Sequence, residues 1–329
     1  MPAPHTNPSL WRAPDLSLRW WPVFLRNLLV WRKLAIPSLM GNIAEPLMWL
    51  VAFGYGMGAL VGELTVDGQR VPYILFLASG SICMSAMNAA SFEALYSAFS
   101  RMHVQKTWDG IMNAPISLDS VLLAEMLWAA FKALFTTTAI LGVMLALGIS
   151  HSPKLFMALA VLVFVGIMFA SIALIFNALA PGYDFFTYYF TLVLTPMMFL
   201  SGVFFPREQL PTAVRIASDW LPLTNAVELV RPMFMDQWPA QPLRHGLVIA
   251  VTTVVAYWLA RRNTVMCCPS GLICAPMARM TLACRSALRE ATMADTPCAI
   301  RAIWAGLSRT AMAGCDCVSD RLSCESACA

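Results

Sequence analysis

Four charged side chains stand inside long apolar segments of this sequence: Glu45, Glu93, Glu125 and Lys132. If those segments cross a membrane, each charge must face protein or a water-filled path, because lipid does not solvate it. Glu125 and Lys132 are seven residues apart, which places them on one face of a helix. We expect these groups to be paired locally, with contact to a substrate as the alternative.

The sequence contains no recognisable catalytic, metal-binding or nucleotide-binding pattern. The glycine-rich stretch at 54–62 lacks the lysine of a phosphate-binding loop, and close helix packing explains its glycines better. Nothing fixes the separation between two carboxylates that glycoside hydrolysis requires. The histidines are scattered over different loops, at His5, His103, His151 and His245. We therefore expect no catalytic residues, no metal and no cofactor, so ATP hydrolysis would require another subunit.

The composition indicates an integral membrane protein. The 329 residues are 59% hydrophobic and 12% charged, with a mean hydropathy of +0.67, whereas soluble domains carry about 25% charged residues. Six apolar runs approach the roughly 20 residues that a helix needs to cross the hydrocarbon core. They lie near 38–60, 72–97, 119–148, 155–180, 185–205 and 243–260. Since the runs lack the alternation of barrel strands, we predict an all-α integral membrane fold with six transmembrane helices.

Basic residues set the expected orientation of the spans, because Lys and Arg are retained on the cytoplasmic side. Five of them precede the first span, Arg101 and Lys106 lie between spans two and three, and two arginines follow span six. The connections after spans one and three hold only Arg70 and Lys154. We therefore expect both termini in the cytoplasm.

Residues 1–35 form the expected cytoplasmic N-terminus, and 19–34 read as a basic amphipathic helix. Three basic residues recur every seven positions on one helical face, while Phe24, Leu28 and Trp31 line another. Such a helix lies flat at the headgroup layer. We expect an interfacial helix, with a plain entry to the first span as the alternative.

The segment 206–234, between spans five and six, contains two short helical stretches. Pro211 opens the first and Pro222 the second, which suits proline because the first N–H groups of a helix have no helical partner. The segment predicts a short helical hairpin that is either re-entrant, and then shielded by protein, or external.

The stretches LTPMMFLSGVFFPREQLP and WLPLTNAVELVRPM resemble the signature region of ABC-2 type permeases. Those proteins are the membrane subunits of ATP-driven exporters of polysaccharides, lipids and drugs. The resemblance runs from about residue 17 to Arg262, so 36–262 is the expected ABC-2 transmembrane domain. The signature is carried by Ser201, Gly202, Pro206, Leu210, Pro211, Pro222 and Arg231.

Further segments, among them FNALAPGYDFFTYYFTLVLTPMMFLSG, are similar to the nodulation subgroup of this family. That resemblance implies a bacterial inner-membrane exporter built from a permease homodimer and a NodI-like ATP-binding subunit. It also implies a lipo-chitooligosaccharide substrate, whose sugar hydroxyls suit carboxylate partners. Export of another glycolipid, a polysaccharide or a drug is the alternative within the family.

An ATPase needs a cytoplasmic element to dock on. The segment 100–119 is the longest internal connection that we expect on the cytoplasmic side. By resemblance it acts as a coupling helix, with Arg101, His103, Lys106, Trp108, Ile111 and Pro115 as its candidate residues. An exposed tryptophan beside charges is typical of interface anchors. The alternative for Trp108 is a position at headgroup level.

Two other function classes have weaker support. A membrane-bound acyl- or glycosyltransferase needs a catalytic His or Asp cluster, and the scattered histidines argue against one. An ion-coupled carrier is favoured by inverted repeats, which are not visible in this sequence.

The composition changes abruptly after residue 262. Nine of the ten cysteines lie in 263–329, and Cys83 is the exception. This tail has no histidine and no C-x-x-C pair, so a zinc site is poorly supported. We expect an atypical, disordered cytoplasmic tail with reduced thiols.

Overall fold

The structure is a computed structural model, and it describes residues 18–66, 69–149 and 152–267. The first seventeen residues and nearly all of the cysteine-rich tail lie outside the described residues. The prediction of a disordered tail therefore stays a prediction.

The described chain is predominantly helical. The first helix, α1, is Trp20–Trp31, and α2 is Ala35–Trp49 continued by a wider π-helical stretch at Leu50–Met57 and a last turn at Gly58–Val61. The remaining helices are α3 (Tyr73–Val104), α4 (Thr107–Met112), α5 (Leu118–Ala146), α6 (Leu155–Leu179), α7 (Asp184–Leu200), α8 (Thr212–Asp219), α9 (Pro222–Phe234) and α10 (Pro242–Cys267).

Four helices of the described chain, α3, α5, α6 and α10, are long and apolar enough to cross a membrane. The other two predicted spans correspond to α2 and α7, whose apolar helical segments are shorter, at Pro46–Val61 and Asp184–Leu200. Helix α7 ends before the predicted residue 205 because the chain turns at Gly202, where φ is +72°. The structure therefore establishes a multi-pass helical bundle, and the count of six spans stays a prediction.

Helix α3 forms the centre of the bundle and packs against α2, α5, α6 and α9. Its most apolar stretch is 78% buried inside the protein, against 17% for the peripheral α10. It also runs seven residues past its predicted end, to Val104, through π-helical stretches at Glu93–Ser97 and Ser100–Val104. Arg101 and His103 consequently lie on α3 itself and not on the following loop, contrary to the prediction.

A two-stranded antiparallel sheet joins α2 to α3, which the all-α prediction missed. Strand β1 (Glu63–Val66) pairs with β2 (Gln69–Pro72), and Val66 lies opposite Gln69. The two intervening residues in the sequence are Asp-Gly, a pair typical of tight hairpin turns. That local signal was sufficient to predict the hairpin.

Helix α1 packs its aromatic face on α5. The ring centroid of Phe24 lies 5.7 Å from those of Trp128 and Phe131, and Trp31 lies 4.9 Å from Phe135. This face contacts protein, whereas the interfacial prediction places the helix at the lipid headgroups. A second apolar row stays exposed, at Leu18, Trp21, Leu25 and Leu29. An interfacial position of α1 therefore stays a prediction, with this second row as the lipid-facing side.

The segment between α7 and α10 contains the two predicted helices. Pro211 precedes α8 and Pro222 is the first residue of α9. Helix α9 is buried against α3, α6 and α10, whereas most of α8 is exposed. Protein therefore shields α9, but whether the pair enters the membrane stays a prediction.

Helix α10 is fixed to the start of α5 by an ion pair between Arg261 Nε and Asp119 Oδ1, at 2.8 Å. The helix continues to Cys267, past the predicted domain boundary at 262.

The bundle has two ends, and we name each after the element next to it. The β-hairpin end is where β2 leads into α3, and the α4 end is where α3 leads into α4.

Candidate functional site

Two carboxylates and two cations form a buried network at the α4 end, which we call the Glu93 network. The Arg101 guanidinium bridges both carboxylates: its Nε lies 2.9 Å from Glu125 Oε1 and its Nη1 lies 3.1 Å from Glu93 Oε1. Lys132 Nζ lies 2.7 Å from Glu93 Oε2. The two negative charges are therefore matched by two positive charges inside the protein.

Neutral donors complete the hydrogen bonding of both carboxylates. Trp128 Nε1 donates to Glu93 Oε1 at 2.7 Å, and the Ser97 hydroxyl donates to Glu93 Oε2 at 2.8 Å. The carboxylate on α5 accepts from Trp108 Nε1 at 3.3 Å and Asn27 Nδ2 at 3.4 Å. A buried ion pair is stable only when such hydrogen bonds accompany it. The Glu93 network thus links α1, α3, α4 and α5.

Helical spacing explains how the sequence assembles this network. Glu93, Ser97 and Arg101 follow at intervals of four along α3, so their side chains share one face. On α5, Trp128 and Lys132 are also four residues apart and face them. Of the four charges inside apolar segments, only the side chain of Glu45 lies outside the described side chains.

The prediction of an exposed Trp108 is wrong, because its side chain is only 1% exposed. Its indole N–H is used to satisfy Glu125, which lies 3.3 Å away. The chain can fold back this way because Lys106 adopts a left-handed backbone, with φ +49°, which separates α3 from α4. Trp108 is therefore an internal support of α4, and α4's role in coupling stays a prediction.

A partner can reach a smaller part of the segment than its sequence suggests. Lys106, Gly110 and Pro115 are exposed, whereas Ile111 packs against the core. His103 is half-buried, with its ring 4.4 Å from that of Phe99. The face that a partner can reach is therefore formed by Lys106, Gly110 and Pro115.

The amphipathic helix α1 supports the same segment from the side. Arg19 Nη1 donates to the Pro115 carbonyl at 2.9 Å, and Arg26 Nη2 donates to Thr107 Oγ1 at 3.5 Å. Two of the basic residues that the sequence assigns to headgroups therefore hydrogen-bond to protein groups, Arg19 at the exposed surface and Arg26 in a half-buried position.

A second polar cluster lies at the β-hairpin end around Arg231, which is buried in α9. Its Nη2 donates to the Gly202 carbonyl at 2.6 Å and its Nε to Ser79 Oγ at 3.2 Å. The guanidinium stacks 3.8 Å from the centre of the Phe76 ring. We call these four residues the Arg231 cluster. It connects α9 to α3 and to the end of α7.

The other signature residues shape the backbone around this cluster. A Cβ on Gly202 would lie 2.6 Å from Arg207 Cγ, so the turn requires glycine there. The Ser201 hydroxyl donates to the Met197 carbonyl, and Pro206 precedes a short 3₁₀ turn that ends before Leu210. The signature residues therefore account for local folding at this end of the bundle.

Ion pairs and a close helix contact fix the turn after α7. Arg207 contacts Asp219 on α8 at 2.6 Å and Glu228 on α9 at 3.0 Å. Gly80 on α3 lets the turn approach, since a Cβ there would lie 2.9 Å from the Cα of Val203. These contacts hold the helical pair against the bundle.

The loop before α6 is joined to the loop after α9. The Lys154 ammonium lies 3.4 Å from Asp236 Oδ1 and 5.3 Å from the centre of the Trp238 ring. The Ser152 hydroxyl and the Lys154 ammonium hold the pKa of Asp236 below its usual range. This link closes the β-hairpin end on the α6 side.

A cavity of about 310 Å³ lies between α2, α3, α5 and α7. Polar side chains line part of it, including Ser85, Asn88 and Thr136, and the rings of Phe92 and Phe190 line another part. Phe92 immediately precedes the first residue of the Glu93 network. Hydroxyl, amide and aromatic groups together can contact a ligand with both polar and apolar faces.

Within the described ranges, no group of three or more His, Cys, Asp or Glu side chains is placed to hold a metal ion. The features that the structure brings together are therefore the Glu93 network, the Arg231 cluster and the polar cavity. Sequence reasoning missed the bridging role of Arg101 and the contributions of Asn27 and Trp128. The spacing of Glu93 and Arg101 by eight residues was the available signal for the first.

Comparison with known proteins places these features in a family context. The family model for ABC-2 type transporter matches residues 21–235, which include the Glu93 network and the Arg231 cluster. The chain is 42% identical to Nodulation protein J of Sinorhizobium fredii over 247 residues, covering 75% of this chain and 93% of that protein.

Two further relatives agree in extent. Nodulation protein J of Rhizobium leguminosarum bv. viciae is 42% identical over 244 residues, with 74% of this chain and 93% of that protein covered. Nodulation protein J of Rhizobium meliloti is 42% identical over 251 residues, with 75% and 93% covered.

Proposed function

Because the chain belongs to the ABC-2 type transporter family, we propose that it is the permease of an exporter of lipo-chitooligosaccharide nodulation factors. The observation that carries this proposal is the 42% identity to Nodulation protein J across 93% of that relative's length. The family consists of transport subunits, so a separate ATP-binding cassette subunit is part of the assembly. We propose that this partner is NodI-like and that two permeases associate in the complex.

The proposed topology has six crossings, with α2 and α7 as the first and fifth. Helix α2 is continuous from Ala35 to Val61, which corresponds to about 40 Å at 1.5 Å per residue. That length exceeds the roughly 30 Å hydrocarbon core. Six crossings place both termini on one side, and the basic residues favour the cytoplasmic face of a bacterial inner membrane.

The ATP-binding subunit is proposed to dock on the exposed face of α4 and its flanking residues. Two features support this site. The α4 end carries basic residues, and α4 is tied to α3 and α5 through Trp108 and the Glu93 network. Force applied to α4 would therefore pass to two long helices at once. This arrangement suits a transport subunit whose conformational change is driven by ATP hydrolysis in a partner subunit.

The cavity lined by Ser85, Asn88 and Phe92 is the proposed contact for the substrate. The carboxylates of Glu93 and Glu125 already accept several hydrogen bonds each, so they have little capacity left for sugar hydroxyls. The cavity instead places an amide and hydroxyl groups beside aromatic rings. We assign the Glu93 network to coupling and the cavity to passage of the substrate.

The experiment that tests the substrate assignment is a gene deletion assayed by mass spectrometry of secreted glycolipids. We expect secreted lipo-chitooligosaccharides to disappear, cell-associated ones to accumulate, and plasmid-borne wild-type chain to restore secretion. Normal lipo-chitooligosaccharide secretion combined with loss of another glycolipid or polysaccharide would reject the assignment and favour the alternative cargo.

A further inference from the structure

Three side chains from one face of α3 line the polar cavity. Ser85, Asn88 and Phe92 follow at intervals of three and four residues, so they point the same way from the helix. The cavity measures about 310 Å³. That volume lies at the lower end of the roughly 300–1,000 Å³ typical of small-molecule sites, so it accommodates one sugar unit of an oligosaccharide at a time.

The hydroxyl group of Ser85 is already engaged within α3. It donates to the Ser81 carbonyl at 2.7 Å, and the Ser85 side chain is buried. Because a hydroxyl has a single hydrogen to donate, its oxygen can then only accept from a ligand. A ligand that needs a donor from this face of α3 must therefore find it elsewhere.

Asn88 differs from other asparagines of the bundle in having its carboxamide available. Asn177 donates from Nδ2 to the Ala94 carbonyl at 2.7 Å, and Asn225 donates to two carbonyls in the same manner. Asn88 is half-buried, and its carboxamide forms no hydrogen bond to any residue that the structure describes. An amide without a partner is costly away from water, so this group is stabilised by a ligand with matching polar atoms.

The surroundings of Asn88 match an acetamido group better than a plain hydroxyl group. An acetamido group carries a carbonyl oxygen, which only accepts hydrogen bonds, and a methyl group, which only packs. Asn88 Nδ2 is a donor for that carbonyl. The apolar side chains of Met84 and Ala89 also line the cavity and can cover the methyl group. A hydroxyl group would use the amide but leave the apolar part of the wall without a contact.

We propose that Asn88 donates a hydrogen bond to the acetamido carbonyl of the sugar unit in the polar cavity, and that this contact selects N-acetylated chains for export. The inference rests on the proposed function, which assigns passage of the oligosaccharide to this cavity. Since the Asn88 side chain has no partner among the described residues, replacing it changes selectivity and leaves the packing of α3 intact.

Two matched substrates test this role in proteoliposomes that contain the permease and its ATP-binding subunit. One is a labelled lipo-chitooligosaccharide. The other is a lipo-cellooligosaccharide of the same length and acyl chain, in which hydroxyl groups replace the acetamido groups. We expect the wild-type complex to transport the first about tenfold faster at limiting concentration, the scale of one hydrogen bond and one buried methyl group.

Asn88→Leu keeps the size of the side chain and removes its polar atoms, so we expect it to transport the two substrates at equal rates. Ser85→Ala is the matched control: it lies on the same face, its hydroxyl is engaged within the helix, and it should keep the wild-type preference. Both variants should melt like the wild-type chain. If Asn88→Leu does not fold, Asn88→Ala decides by the same comparison.

Retention of the wild-type preference in the Asn88 variant would overturn the inference. Equal transport of both substrates by the wild-type complex would overturn it as well, and would leave the proposed function standing. If the wild-type complex moved neither substrate when ATP is supplied, the proposed function would fail and this inference with it.

Discussion

Arg101 shows how this protein keeps charges inside its helices. One guanidinium contacts two carboxylates. The remaining partners are Lys132, two indole N–H groups, the Ser97 hydroxyl and the Asn27 amide. Each charge would be costly alone in a low-dielectric interior, yet the set is neutral and hydrogen-bonded. Removing one member therefore costs more than the contact it made, because its partners stay buried and charged.

The Glu93→Gln variant should show this cost. The change leaves Arg101 and Lys132 with one carboxylate between them, and breaking a buried pair costs about 3–5 kcal/mol. We expect the purified variant to have a clearly lower melting temperature, measured by tryptophan fluorescence. Glu208→Gln, at an exposed carboxylate outside the described ion pairs, should melt like the wild-type chain.

The double variant Glu93→Gln with Lys132→Met distinguishes charge imbalance from loss of shape. It removes one charge of each sign, so we expect it to recover part of the lost stability. Melting of the single variant at the wild-type temperature would contradict the account of the Glu93 network.

At the scale of elements, hydropathy located the long helices but not where they end. Helix α3 continues past its predicted end, where pairing with Glu93 and Glu125 accommodates the Arg101 charge that single-residue hydropathy scores as span-breaking. Helix α7 stops early because Gly202 turns the chain toward Arg231, which lies twenty-nine residues further on. Those ends depend on contacts distant in sequence, whereas the β-hairpin depended on a local Asp-Gly signal that was missed.

The candidate site was predictable to a similar extent. The positions of Glu93, Glu125 and Lys132 followed from charge inside apolar runs. The burial of Trp108 did not, because it depends on a carboxylate seventeen residues away, and the part played by Asn27 depends on one ninety-eight residues away. Residue types thus indicated where polar chemistry lies, and only the fold showed which groups satisfy each other.

Cysteine labelling tests whether the short helix α2 crosses the membrane. Lys33 and Arg70 flank it and both are exposed, so each can be replaced by cysteine in a background without the other cysteines. We expect a membrane-impermeant maleimide added to spheroplasts to label Arg70→Cys and to spare Lys33→Cys until the membrane is opened. Equal labelling of the two positions in intact spheroplasts would mean that α2 does not cross.

The proposed docking face on α4 can be blocked without disturbing the interior. Gly110 is exposed and has open space around its Cβ position, so Gly110→Trp adds bulk only on the outside. We expect about tenfold weaker co-purification of the ATP-binding subunit, a loss of about 1.4 kcal/mol. Gly182→Trp, in the short connection between α6 and α7, also has open space and serves as the control. If the two variants retain the partner equally well, docking does not occur on α4.

At the scale of the whole molecule, α3 connects two polar clusters of different character. Ser79 belongs to the Arg231 cluster and Arg101 to the Glu93 network, and their separation of twenty-two positions corresponds to about 33 Å at 1.5 Å per residue. That is close to the thickness of the hydrocarbon core, roughly 30 Å. The polar cavity lies between the clusters, so a displacement of α4 can reach it through α3 and α5.

The most direct test of this account is transport by purified components in proteoliposomes. Vesicles that contain the permease and its ATP-binding subunit should move labelled lipo-chitooligosaccharide across the bilayer when ATP is supplied, and vesicles with either subunit alone should not. ATP hydrolysis by the permease alone, or hydrolysis by the full complex without movement of this substrate, would contradict it.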